Sequence, residues 1–303
     1  MKCGQKNEIL RGSILTLIGG VFWGLSGVFG KYLFEYKGMT ASWLVTVRLL
    51  ISGAVLLTYV FQKQGKEIFK VWKKKAEVQR LLFYGLTGMA LVQLSYYRTV
   101  ELSNAGTATV LQYTAPVMIM VVLAIGNRKI PEKIEIMALI MALLGTFLLA
   151  TRGHLSSLAI SKETLVLGLL SAAAMVLYNL LPIQLIHKYN TFLIVGWGML
   201  IGGVFLSVFV RPWEKNKIIW DGMTITGLFV IIMFGTILAF VAYMEGVRLI
   251  GASKASLYAA VEPLTATVAS VIFFHVTFLP IDFTGFLCII AAVAMLSIPK
   301  NKK

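Results

Sequence analysis

The sequence predicts an all-α integral membrane protein: ten transmembrane helices as two inverted five-helix repeats, with both termini cytoplasmic. Three observations predict it. Of 303 residues, 58% are hydrophobic and only 14% charged, with a mean hydropathy of +0.83. A soluble domain averages about 45–50% apolar and about 25% charged residues, so the natural solvent for this chain is lipid. Apolar segments close to the ~20 residues that cross a bilayer recur along the whole chain. The two halves of the chain also match each other in sequence.

Taken in order, the first segment is Ile14–Leu33. It follows a basic start (Lys2, Lys6, Arg11) with no small-residue cleavage site after it, and so reads as a retained span rather than a removed signal peptide. Ser42–Phe61, Leu81–Thr99, Ala105–Ile125 and Ile134–Ala150 complete a first set of five. Leu165–Ile186, Phe192–Val210, Thr224–Val247, Ala255–His275 and Ile281–Ile298 make a second. Connections are short except Gln62–Arg80, whose run of lysines and apolar residues predicts a basic amphipathic segment on the cytoplasmic surface.

The net charge of +15 would suggest nucleic acid in a soluble protein; here it orients the chain in the cell membrane, and no nucleic-acid partner is expected. The loops and termini on one side carry 19 Lys and Arg, those on the other 8, and Arg48 remains within the second span. The excess marks the cytoplasmic side. Cys3 lies in the N-terminal tail and Cys288 in an apolar segment, so a structural disulfide is not expected.

Shifted by 147 residues, Gly88–Pro116 lies on Gly235–Pro263 without a gap and with eight identical pairs, Tyr96/Tyr243 and Pro116/Pro263 among them. Val47–Leu56 likewise lies on Trp197–Leu206, with Arg48 opposite Gly198. Five spans per half is an odd number, so the second half enters the membrane upside down. Inverted repeats of this kind build transporters whose substrate site lies near the midplane.

Glu262 precedes Pro263 in the middle of an apolar run. Pro263 lacks an amide proton and clashes with the carbonyl one turn earlier, so the ninth span should kink near Ala259, and Pro116 should kink the fourth span at the matching depth. Broken helices at membrane depth persist where protein or a water-filled cavity covers the freed backbone, so the two breaks point to one shared cavity and to gating. Ordinary packing kinks are the alternative. For Glu262 three roles stay open: contact to a substrate amine, proton coupling, or a structural hydrogen bond near the kink. For Arg48 the reading favours snorkelling or a helix–helix bond, beside a substrate carboxylate or a charge pair with Glu262. The expected substrate-binding residues are Trp23, Gln93, Gln112, Tyr113, Tyr178, Asn179, Tyr258 and Glu262. Tyr113 and Tyr258 rank above Tyr96, Tyr97 and Tyr243, which lie near span ends where aromatic residues usually anchor the interface.

Metal chemistry is not expected: His154, His187 and His275 lie at loops or span ends without ligand spacing. No nucleophile elbow, phosphate loop or dinucleotide fingerprint stands in a suitable context, so neither an enzyme nor a cofactor is expected. The expected partners are a small-molecule substrate and the lipid bilayer, and a homodimer is left open.

Two halves each carrying Tyr-x-x-x-Val-x-Leu-x-x-Ala and then a Pro, with Glu262–Pro263, Trp23–Gly24 and Arg48, resemble the EamA-type domains of the drug/metabolite transporter superfamily. The resemblance covers about 12–151 and 164–298, one five-helix repeat each. The family's Gly-Glu after the fourth and ninth spans reads Gly126–Asn127 and Phe274–His275 here, so no role is carried over for those acids. The resemblance implies a carrier of small organic solutes such as amino acids or related metabolites, an exporter, with the first, third, fourth, sixth, eighth and ninth spans around a central cavity. A flippase for lipids or lipid-linked carriers, and an intramembrane enzyme, are the rival readings.

Overall fold

The computed structural model describes residues 3–103, 105–127, 131–151, 161–214, 217–274, 277 and 279–297. His154, His275 and several charges used for orientation (Lys2, Arg128, Lys129, Arg152, Lys215, Lys300) lie outside the described residues.

The described residues form helices and no strand. Helix α1 (Cys3–Lys37) leads into α2 (Ala41–Gln64) and a 3-10 helix (Gly65–Lys73). Then α3 (Lys75–Phe83), a π-helical stretch (Tyr84–Leu91) and α4 (Val92–Leu102) run on as one rod. After them come α5 (Ala105–Gln112), α6 (Ala115–Asn127) and α7 (Lys133–Thr151). The second half holds α8 (Lys162–Leu180), α9 (Ile183–Lys188), α10 (Thr191–Val210) and α11 (Gly222–Ile232). A second π stretch (Met233–Leu238) joins α11 to α12 (Ala239–Ile250), and α13 (Ala252–Tyr258), α14 (Val261–Phe274) and α15 (Pro280–Ser297) follow. Among the described residues seven helical stretches are long and apolar enough to cross a membrane: Asn7–Lys37, Ala41–Lys73, Ala105–Gly126, Lys162–Lys188, Thr191–Val210, Gly222–Ile250 and Ala252–Phe273.

Side chains on the turns start and stop these helices. Thr40, Ser161, Asn190 and Asp221 each accept a backbone N–H in the first turn of α2, α8, α10 and α11. Gly251 turns α12 into α13 in one residue at φ +82°, a conformation that side chains resist. Large apolar side chains such as Val166, Val208, Phe209, Phe229 and Ile290 stand exposed around the bundle. In water such a surface would be an aggregation hazard, and in lipid it costs nothing.

The packing is paired. α2 lies on α10, α1 on α12, α4 on α8 and α7 on α15. The α2–α10 crossing is reciprocal: a Cβ on Gly53 would stand 2.6 Å from the Leu200 nitrogen, and one on Gly203 would stand 2.8 Å from the Leu50 nitrogen. Only glycine allows backbones this close.

Both proline breaks are present. α5 stops at Gln112 and α6 starts at Ala115; α13 stops at Tyr258 and α14 starts at Val261. Three features differ from the sequence-based expectation. The sixth span breaks as well, at Leu181–Pro182 between α8 and α9. Two π stretches interrupt the third and eighth spans, and the 147-residue shift lays 84–91 on 231–238. The basic connection after α2 turns its apolar side onto the protein: Val71 and Ile68 are buried, and the Trp197 indole donates to the Ile68 carbonyl at 3.1 Å.

The two ends of the bundle are tied by polar contacts. At one end Lys37 bonds Asp221 at 2.5 Å, and that ammonium, with the Thr224 amide and hydroxyl, holds the Asp221 carboxyl down at about 2. At the other end Glu77 meets Lys188 and the Tyr189 hydroxyl, which hold its carboxyl below the usual range.

Candidate functional site

The break in α13–α14 exposes backbone that the rest of the molecule covers. Pro263 cannot donate to Ala259, whose carbonyl accepts the Glu262 amide at 2.9 Å and also the Tyr113 hydroxyl from the break in α5–α6. The two breaks are therefore fastened to each other. α1 seats itself against the same place through a small-residue face. A Cβ on Gly24 would lie 2.5 Å from the Glu262 carbonyl oxygen, and one on Gly20 would lie 2.7 Å from a Val261 methyl.

Between these elements lies a cavity lined by Trp23, Arg48, Val92, Gln93, Tyr96, Tyr97, Gln112, Met175, Tyr178, Phe240 and Glu262. They come from α1, α2, α4, α5, α8, α12 and α14. The volume open to the centre of a water-sized sphere is about 50 Å³. That is room for a few waters, since each needs about 10–15 Å³ by this measure. A smaller neighbouring cavity is bounded by Tyr113, Pro116, Ser256 and Ala259, and Glu262, Gln112 and Met175 belong to both.

Much of the lining is aromatic and interlocked. The Trp23 ring lies 4.7 Å from Tyr243 and 5.1 Å from Phe240, and Tyr178 stacks between Tyr84 and Tyr243 at about 6 Å from each. Glu262, 5% exposed, accepts a hydrogen bond from the Tyr96 hydroxyl at 3.3 Å, and that hydroxyl also lies 3.1 Å from the Thr109 hydroxyl. Arg48, 1% exposed, does not snorkel. Its Nε donates to the Thr236 hydroxyl at 2.8 Å and one terminal nitrogen donates to the Gly235 carbonyl at 3.0 Å. Both acceptors belong to the second π stretch, whose wider winding leaves carbonyls free for a side chain. The guanidinium also lies over the Tyr97 ring, 4.9 Å from its centre. Arg48 and Glu262 share the cavity, and no ion pair joins them.

The unsatisfied polar atoms carry the most information. Trp23 Nε1, the second terminal nitrogen of Arg48, both amide atoms of Gln93 and the Tyr178 hydroxyl are buried at this cavity without a hydrogen-bond partner. Buried polar groups are satisfied in the great majority of cases, so these five atoms are donors and acceptors left open to whatever fills the cavity.

Of the residues expected from the sequence, Trp23, Gln93, Gln112, Tyr178, Glu262 and Arg48 meet at the main cavity, and Tyr113 and Pro116 at the smaller one. Asn179 is engaged elsewhere: its side chain accepts from Tyr243 at 2.7 Å and donates to the Met175 carbonyl at 2.8 Å. Tyr258 is buried in α13 beside the break, and Pro263 stands one residue past Glu262 in α14. Tyr96 and Tyr97, ranked lower on position alone, line the main cavity. Phe240 and Met175 were not anticipated, because an apolar side chain in an apolar span carries no mark. The partnership of Arg48 with Gly235 and Thr236 was also missed, because π winding has no periodicity signal.

The EamA-like transporter family matches over residues 10–151 and again over 163–298. An uncharacterized inner membrane transporter, YicL, of Salmonella typhimurium is 36% identical over 293 residues, covering 97% of each chain. A solved crystal structure, 14% identical, superposes with a TM-score of 0.72 over 97% of this chain and 96% of its own, a likeness of fold alone. Matched twice along its length by the family and once from end to end by a relative, the chain belongs to the EamA-like transporter family, and is a membrane transporter rather than an enzyme.

Proposed function

We propose that the chain is a secondary transporter of small organic solutes such as amino acids or related metabolites, working by alternating access around the cavity that holds Glu262. In this reading ten helices span the inner membrane as two inverted five-helix repeats with both termini in the cytoplasm, and the direction is export. The observation that carries it is the set of buried, unpartnered polar atoms of Trp23, Arg48, Gln93 and Tyr178 around an aromatic cavity supplied by both halves. The small volume belongs to a closed state, which must open to one face to admit a solute.

The paired packing supports the symmetric arrangement. Under the repeat, α1 with α12 and α4 with α8 are one contact made twice, while α2 with α10 and α7 with α15 are self-complementary contacts on the axis. Glycines 53 and 203 facing leucines 200 and 50 are what a two-fold axis through that crossing requires. The export direction rests on the resemblance alone.

The test is counterflow of labelled amino acids into proteoliposomes, with Glu262→Gln beside the wild type at two pH values. Saturable exchange by the wild type is expected, together with at least a tenfold slower rate for the variant. Absence of exchange for every amino acid would remove this substrate class.

A further inference from the structure

We infer that Arg48 is the carboxylate receptor of the transported solute, and that the cavity therefore selects molecules carrying a carboxylate and an ammonium on one small skeleton. The inference rests on the transport reading above and adds to it which end of the solute is read by which residue.

Arg48 is held as a receptor would be. A free arginine samples many rotamers, but here Nε and one terminal nitrogen are bonded to Thr236 and Gly235 of the π stretch, and the Tyr97 ring lies under the guanidinium plane. The remaining terminal nitrogen lacks a partner and is buried at the cavity. The fork is thus aimed by protein on two sides and left open on the third. A buried guanidinium without a counter-ion costs several kcal/mol, and no carboxylate of the described residues is paired with it. Neighbouring donors point to the same charge. Trp23 Nε1 can only donate, and Phe240 touches both the Trp23 ring at 5.1 Å and the Arg48 guanidinium at 6.0 Å. An anionic oxygen pair is what this group of donors can satisfy.

Glu262 supplies the opposite end. It is the one acidic residue of the lining, and it is held by Tyr96, whose ring stands edge-on to Tyr97 at 5.4 Å. Arg48 and Glu262 are thus fastened to adjacent rings and not to each other. A bare ammonium would leave Arg48 unanswered, and a bare carboxylate would leave Glu262 unanswered. A zwitterion answers both, and its side chain falls against Trp23, Tyr178 and Phe240.

The experiment is proteoliposome exchange with three matched solutes: leucine, isopentylamine (leucine without its carboxylate) and 4-methylpentanoate (leucine without its amine). Wild type should favour leucine over either analogue by about a hundredfold, the usual scale for leaving one member of a buried charge pair unanswered. Arg48→Gln should abolish the preference of leucine over isopentylamine while keeping that over 4-methylpentanoate, and Arg48→Lys should restore part of it. Folding of each variant is checked by its elution as a monodisperse species in detergent. Should Arg48→Gln fail to fold, the wild-type comparison decides: equal exchange of leucine and isopentylamine overturns the inference. An Arg48→Gln protein that exchanges leucine and keeps the wild-type ratio overturns it too. A wild type that moves none of the three but moves another solute lacking a carboxylate overturns the inference and leaves the transport reading standing; no exchange of any solute overturns both.

Discussion

Tyr113 shows how much one hydroxyl can decide. The carbonyl of Ala259 loses its i+4 partner because Pro263 has no N–H; it accepts the Glu262 amide at 2.9 Å instead, and Tyr113 adds a second donor from the opposite half. Tyr113→Phe keeps the ring and removes this bond; the Ala259 carbonyl keeps the Glu262 amide, so the cost is that of one hydrogen bond, about 0.5–1.5 kcal/mol. The expected result is a lower melting temperature in detergent with the fold retained, read by thermal unfolding beside the wild type. An unchanged melting temperature would mean that water takes over as donor. At this scale the sequence was a good guide to charge and a poor one to partners. Glu262 and Arg48 announced themselves because ionised groups in an apolar run are expensive. Thr236, Gly235 and Phe240 looked like any other residues of a membrane helix.

Element by element, the prolines explain most of the helix breaks. Pro116 and Pro263 were legible because proline acts on the chain locally, one turn upstream. The π stretches at 84–91 and 233–238 were not, though each holds glycine against which a neighbouring helix is pressed. A Cβ on Gly235 would sit 2.3 Å from Ser26 Cβ, and one on Gly85 would sit 2.7 Å from an Ile201 methyl. Pro263→Ala supplies the helical i+4 N–H to the Ala259 carbonyl, in competition with the Glu262 amide and the Tyr113 hydroxyl that it accepts now. The expected outcome is a protein that is at least as stable but exchanges solute at least tenfold more slowly, because α13 and α14 then tend to one continuous rod. Exchange at the wild-type rate would show that the break is packing and not gating. The basic connection after α2 was legible in charge but not in placement: its amphipathic face fitted a lipid surface as well as the Trp197 side of α10, and tertiary packing chose the latter.

At the scale of the whole molecule, both ends of the bundle are fastened, Lys37 to Asp221 at one and Glu77 to Lys188 and Tyr189 at the other. If the two halves rock about the cavity, each fastening must open in turn. Cysteines at 37 and 221, or at 77 and 188, placed in a protein with Cys3 and Cys288 replaced by serine, should each stop counterflow when oxidised and release it on reduction. Unimpeded exchange in both oxidised forms would sink the rocking mechanism. The seven spans of clear length and hydropathy were readable from apolar runs, because lipid allows so few solutions to the backbone problem. The fastenings were not, since they join helix ends distant in sequence.

The crossing of α2 and α10 has a meaning beyond tight packing. If the two halves exchange conformations during each cycle, a contact on the axis is carried onto itself. Gly53 against Leu200 and Gly203 against Leu50 would then be the same fulcrum whichever face is open, and every other contact in the molecule would be measured by its distance from it. A side chain added there would not bias the protein toward one face; it would lift the beam off its pivot.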